Sequence, residues 1–83
     1  MTAKKKKTCN DAFGRALRQL RRQKHLSQED LGFDAGLART YISLLELGQR
    51  SPTLDTLIAL CAALDVSLSE MAARIEQEMS GGS

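Results

Sequence analysis

The residues able to do covalent or acid–base chemistry are few, and their spacing does not assemble them. His25 is the only histidine, and Cys9 and Cys61 lie far apart with no Cys-x-x-Cys pair. Zinc and haem spacings are therefore absent. A Cys–His or Ser–His–Asp set and a Gly-rich phosphate loop are equally absent, and the paired carboxylates Glu29-Asp30 and Glu76/Glu78 fall on helix faces expected to be solvated. The reading is no enzyme, no cofactor and no metal. Binding chemistry remains. Residues 1–50 carry eleven Lys/Arg against five acids, a balance of +6, whereas residues 51–83 carry Arg74 alone against five acids, a balance of −4. A polyanion would be drawn to the first half and repelled by the second.

The segment best suited to such binding is Ser27–Arg50, SQEDLGFDAGLARTYISLLELGQR. Two short helices separated by Gly36-Leu37 must cross steeply, leaving the second projecting. That is the helix-turn-helix arrangement, and residues 39–47 would fit the ~12 Å major groove of DNA.

Five helical patterns position this segment, and the expected fold class is all-α. The first is expected from about Asp11 to Lys24, capped by Asn10 or Asp11, with Phe13, Ala16, Leu17 and Leu20 on one stripe. Arg15, Arg18 and Arg22 take its other faces. Ser27 and Asp30 form an acidic capping box for a second helix, Gln28–Ala35, with Leu31 and Ala35 inward and Gly36 ending it. The third covers about Arg39–Leu47 on Ile42 and Leu45. Thr53 caps a fourth, Leu54–Leu64, whose expected inward set is Leu57, Ile58, Cys61 and Leu64. Ser67 and Glu70 box a fifth, reaching about Met79. Residues 1–9, with Lys4–Lys7, read as a flexible basic arm, 10–79 as the domain, and 80–83 as a flexible tail.

A chain of 83 residues makes one domain and buries only ~60% of its unfolded surface. Its longest apolar run, Leu57–Leu64, has eight residues, where a membrane span needs ~18 or more. No apolar segment follows Lys4–Lys7 to make a signal peptide. The expectation is a soluble, cytoplasmic protein associated with the nucleoid, in which Cys61 is a reduced core residue.

Ser27-Gln28, Ala35-Gly36, Tyr41-Ile42, Glu46, Gly48 and Pro52-Thr53-Leu54 at these spacings resemble the Cro/C1-type helix-turn-helix family, which includes phage repressors and restriction–modification controller proteins. The likeness covers about residues 10–70, and controllers are closest in size. It implies a compact five-helix, lambda-repressor-like domain that binds operator DNA as a two-fold dimer and regulates transcription, typically as a repressor. Carried over by position, it implies base reading by Arg39, Thr40 and Ser43 with Leu44 nearby. Arg39 can donate two bonds to guanine O6 and N7, worth ~1–3 kcal/mol of discrimination. It implies phosphate contact by Gln28 at a helix N-terminus and by Gln49 and Arg50 beyond the reading helix. Tyr41 and Arg22 are added as residues able to reach phosphate. Arg21 and Glu46 match a family ion pair tying the first helix to the third. Ala38 departs from the family, which often has Ser or Thr there as a cap.

Leu68, Met71, Ala72, Ile75 and Met79 form a fifth-helix stripe longer than the first and fourth helices could cover, so residues 67–79 are expected to form a homodimer interface. The competing reading keeps the fold but makes this stripe a docking face for a protein, as in an antitoxin or bridging module. The expected partners are double-stranded DNA and a second copy, with RNA polymerase or a toxin as further candidates and no membrane.

Overall fold

The structure, a computed structural model, describes residues 2–81, with side chains from Cys9 onward. The Lys4–Lys7 side chains and residues 82–83 lie outside the described residues. Five helices follow in order: α1 (Thr2–Gln23), α2 (Gln28–Ala35), α3 (Arg39–Glu46), α4 (Leu54–Leu64) and α5 (Leu68–Gly81). There is no strand among the described residues, so the fold is all-α as expected.

The local signals place the helix ends. The Ser27 hydroxyl accepts from the Asp30 amide at 2.9 Å, and the Asp30 carboxylate accepts from the Ser27 amide at 3.2 Å. Gly36 then stops α2 in the left-handed region, φ 74°, where a side chain would be strained. Thr53 caps α4 through the Thr56 amide at 3.1 Å, and the Ser67–Glu70 box starts α5. Ala38 makes no side-chain cap bond to α3.

Two helices extend further than their expected bounds. The backbone of residues 2–9 is helical and continuous with α1. Lys and Ala are good helix formers, and neither Gly nor Pro interrupts Thr2–Phe13. Asn10 and Asp11 are therefore interior positions, not caps. At the other end, α5 runs on through Ser80 and Gly81.

The core joins Phe13, Leu17 and Leu20 of α1 to Leu31, Ile42, Leu45, Leu60, Cys61, Leu64 and Met71. The α4 expectation was one position off: Leu60 is fully buried, whereas Ile58 is 50% exposed. At about 100° per residue, Leu60 lies nearer the centre of the Leu57–Cys61–Leu64 stripe than Ile58 does. Cys61 is buried and free, and burial pushes its thiol pKa up. Among the described residues no single helix is long and apolar enough to cross a membrane.

Helix α1 packs against α5 and α3, and α2 packs against α3 and α4. The α1–α3 approach is tightest at Gly14, where a Cβ would sit 2.5 Å from the Glu46 carbonyl oxygen and 2.6 Å from that of Leu45. Neither backbone group can yield without moving α3. Gly14→Ala is accordingly expected to destabilise the domain by about 1–3 kcal/mol, the usual cost of overpacking, despite alanine's better helix propensity. Urea unfolding followed by circular dichroism reads this, and a gain in stability would contradict the close approach.

Candidate nucleic-acid interface

Helix α3 is set by one carboxylate. Glu46 ends α3, and its side chain has no exposure. Arg21 of α1 grips it with two parallel bonds, Nε to Oε2 at 2.6 Å and Nη2 to Oε1 at 3.0 Å. This is the strong bidentate form of the ion pair, and it is the pair that the family resemblance implied. Arg21 Nη1 also donates to the Leu26 carbonyl at 2.9 Å, tying in the α1–α2 turn. Gln28 Nε2, from the first residue of α2, donates to Glu46 Oε1 at 3.1 Å, and Arg18 Nε reaches the same oxygen at 3.5 Å. One carboxylate thus joins three helices.

Burial by itself raises the Glu46 pKa, but the bonds from Arg21, Gln28 and Arg18 outweigh it and hold the carboxyl below its ordinary value. The Arg21 pKa is raised, first by its bond to Glu46. Both groups stay charged, so the ion pair persists where α3 must be held.

Arg18, with its side chain still 43% exposed, also reaches Glu46. The Gln28 amide is turned inward to Glu46, so phosphate contact by that side chain would require it to leave this bond. Arg15 is also engaged, with Nε 2.9 Å from Glu78 Oε1, and Gln19 Nε2 donates to the other Glu78 oxygen at 2.8 Å. Glu78, expected to be solvated, instead clamps the end of α5 to α1. The bond from Arg15, then that from Gln19, lowers its pKa.

The remaining cations face outward. Arg39 and Thr40 are exposed at the first turn of α3, Ser43 and Leu44 are half-buried further along it, and Gln49 and Arg50 are exposed just beyond. Arg22 is exposed on α1. Among the described residues Arg22, Arg39 and Arg50 enter no ion pair. Tyr41 is half-buried, and the Arg50 guanidinium carbon lies 5.6 Å from its ring centroid. His25 is exposed in the α1–α2 turn at φ 59°.

The fifth-helix stripe divides. Met71 is fully buried and belongs to the core, which corrects its assignment to an interface, and Ile75 packs partly against that core. Leu68 and Met79 are 43% and 41% exposed, and Ala72 is exposed. At about 100° per residue these three lie roughly 60–100° around the helix from Met71, so α5 turns one edge of its stripe inward and the other outward. On α4, Leu54 and Ile58 also remain exposed. Sequence reasoning had no signal for this division.

An eight-residue α2 crossing into a projecting eight-residue α3 through Gly36-Leu37, with exposed donors along α3, defines a helix-turn-helix domain. The helix-turn-helix family profile matches residues 17–71. The chain is 42% identical to control protein C.MunI of Mycoplasma sp over 67 residues, 80% of this chain and 90% of that protein. The crystal structure of the restriction–modification controller protein C.AhdI from Aeromonas hydrophila superposes with a TM-score of 0.73 at 44% identity, covering 75% of this chain and 94% of that one. The controller C.Esp1396I, seen as a tetramer with its natural 35-base-pair operator, superposes with a TM-score of 0.81 at 28% identity, covering 87% of this chain and 95% of that one. The chain belongs to the helix-turn-helix family, of the Cro/C1 type, and restriction–modification controllers are among the proteins it is similar to. Its relatives are control proteins and helix-turn-helix transcriptional regulators.

The Glu46 site generates a stability prediction with a defined sign. A carboxyl whose folded pKa is depressed contributes stability that is present above the unfolded value, here ordinarily 4.5, and lost as pH falls through the folded value. Glu46→Gln keeps the shape but leaves Arg21 without its counter-charge, so it is expected to cost about 3–5 kcal/mol. The wild type should lose more stability than the variant between pH 5 and about pH 3, and equal losses in urea titrations would place the acid-sensitive group elsewhere.

Proposed function

We propose that this protein is a sequence-specific, double-stranded DNA-binding transcriptional regulator that acts as a homodimer on an inverted-repeat operator. The observation that carries the proposal is the partition of its cations. Arg15, Arg18 and Arg21 pair within the domain with Glu78 and Glu46, while Arg39 and Arg50 are exposed along and beyond α3 without a carboxylate partner among the described residues. Helix α3 enters the major groove; Arg39, Thr40 and Ser43 read base edges, and Leu44 offers apolar contact. Arg50, Gln49, Arg22 and Tyr41 serve the phosphates. The N-terminus of α2 offers free amides to an anion, so Gln28 can serve there even while its side chain holds Glu46.

Dimerisation uses the outward edge of α5, Leu68, Ala72 and Met79, together with exposed Leu54 and Ile58 of α4. A small domain seldom leaves this many large apolar side chains in water without a partner. The dimer sets two α3 helices ~34–36 Å apart for successive major grooves. Binding DNA, the protein works in the cytoplasm at the nucleoid, and it represses by occupying a promoter.

Selection of bound duplexes from a random DNA pool at ~150 mM salt, where non-specific binding is suppressed, is expected to enrich an inverted repeat with half-sites about one helical turn apart. Enrichment of a single half-site would remove the dimer but keep DNA binding. No enrichment by folded protein would favour a protein partner on the α5 face. On the selected duplex, Arg39→Ala is expected to cost about 1–3 kcal/mol and to relax one base position. Unchanged affinity and preference would remove Arg39 from the reading set.

A further inference from the structure

Tyr41 and Arg50 come from different elements and meet through a short, constrained path. Tyr41 lies in the first turn of α3, is half-buried and packs against the hydrophobic core. Arg50 lies two residues beyond the turn at Gly48. That turn is tied to α3 by the Gly48 amide donating to the Leu45 carbonyl at 3.1 Å and the Gln49 amide donating to the Leu44 carbonyl at 3.0 Å. Pro52 follows closely and biases Ser51 toward extended backbone. The path brings the Arg50 guanidinium carbon to 5.6 Å from the Tyr41 ring centroid, within the ~6 Å over which an aromatic face attracts a cation.

We infer that Tyr41 is a positioning residue: its ring, braced by the core, holds the Arg50 guanidinium on its outer face and presents that cation to a DNA phosphate. The inference rests on the DNA-binding reading above and deepens it. Arg50 is exposed, and no carboxylate among the described residues pairs with it. Among the described residues no side-chain hydrogen bond restrains its long, rotamer-rich side chain. An unrestrained arginine loses that freedom when it takes a phosphate, whereas one already stacked has lost part of it beforehand. Stacking on a ring leaves all five guanidinium donors at the edge of the plane, where a phosphate can take two of them. The Tyr41 hydroxyl has no necessary part in this, which separates the inference from direct phosphate contact by Tyr41.

The test is a double-mutant cycle on the duplex enriched by selection, with Tyr41→Phe, Tyr41→Leu and Arg50→Ala. Leucine fills the half-buried site without an aromatic face, and circular dichroism checks that each variant folds. Tyr41→Leu is expected to weaken binding about two- to fivefold per half-site, the range for an exposed cation–ring contact. In the Arg50→Ala background the same change should cost almost nothing. Arg50→Ala should reduce the slope of log affinity against log salt by about 1.8 on the full operator, about 0.9 for the phosphate contact of each protomer. Tyr41→Phe, which keeps the aromatic face and loses only the hydroxyl, should retain more affinity than Tyr41→Leu and should lose the same amount with and without Arg50. Without DNA, the Arg50 side-chain protons should show an upfield ring-current shift in NMR spectra that Tyr41→Phe keeps and Tyr41→Leu abolishes. An equal cost of Tyr41→Leu with and without Arg50 would overturn the inference, as would a Tyr41→Phe loss matching that of leucine. A folded wild type that binds no duplex would overturn the regulator reading and this inference together, whereas the other two failures overturn the inference alone.

Discussion

A single carboxylate with no exposure, Glu46, governs how this domain holds α3 against α1 and α2. A buried charge is costly unless it is paired and hydrogen-bonded. Here Arg21, Gln28 and Arg18 supply the partners from α1 and α2. The low dielectric that penalises the isolated charge also sharpens the cost of misplacing any partner. The pair adds less net stability than its distances suggest, because desolvation offsets most of the attraction. What it adds is a defined position for α3 relative to α1 and α2. Gly14 serves the same end sterically, because only a missing side chain lets α1 approach the α3 carbonyls so closely.

A second consequence follows from where the cations are held. Arg15 pairs with the α5 carboxylate Glu78 at the surface, Arg21 with the buried Glu46 of α3, and Arg18 also reaches Glu46. Arg22, Arg39 and Arg50 enter no ion pair among the described residues. The arginines of the basic half are therefore divided between those that pair within the domain and those left exposed, two of which lie along and just beyond α3.

The small core imposes a third constraint. With only one or two apolar side chains per helix buried fully outside α1 and α4, α5 cannot sink its whole stripe. Met71 fills the core, the Glu78 clamp to Arg15 and Gln19 holds the far end against α1, and Leu68, Ala72 and Met79 are left outward. The same helix thus completes one core and exposes material for another contact.

Local order was legible from residue types alone. The Ser27–Asp30 and Ser67–Glu70 boxes, the Thr53 cap and Gly36 are effects over three or four residues, so they announce helix ends without any knowledge of the fold. The α1 stripe of Phe13, Ala16, Leu17 and Leu20 likewise named its buried face, and the Arg21–Glu46 pair came from family resemblance. The α1 start was misread because capping residue types at Asn10 and Asp11 were weighed above the unbroken helix-forming run before them. Only the tertiary structure decided that Gln28 and Arg18 join Glu46, that Arg15 meets Glu78, that Leu60 displaces Ile58 in the core, and that Met71 is internal while Met79 is not. Periodicity states which side of a helix is apolar. How much of that side is covered, and which distant charges meet, depends on the crossing and separation of helices far apart in the chain, and those are fixed by packing rather than by spacing.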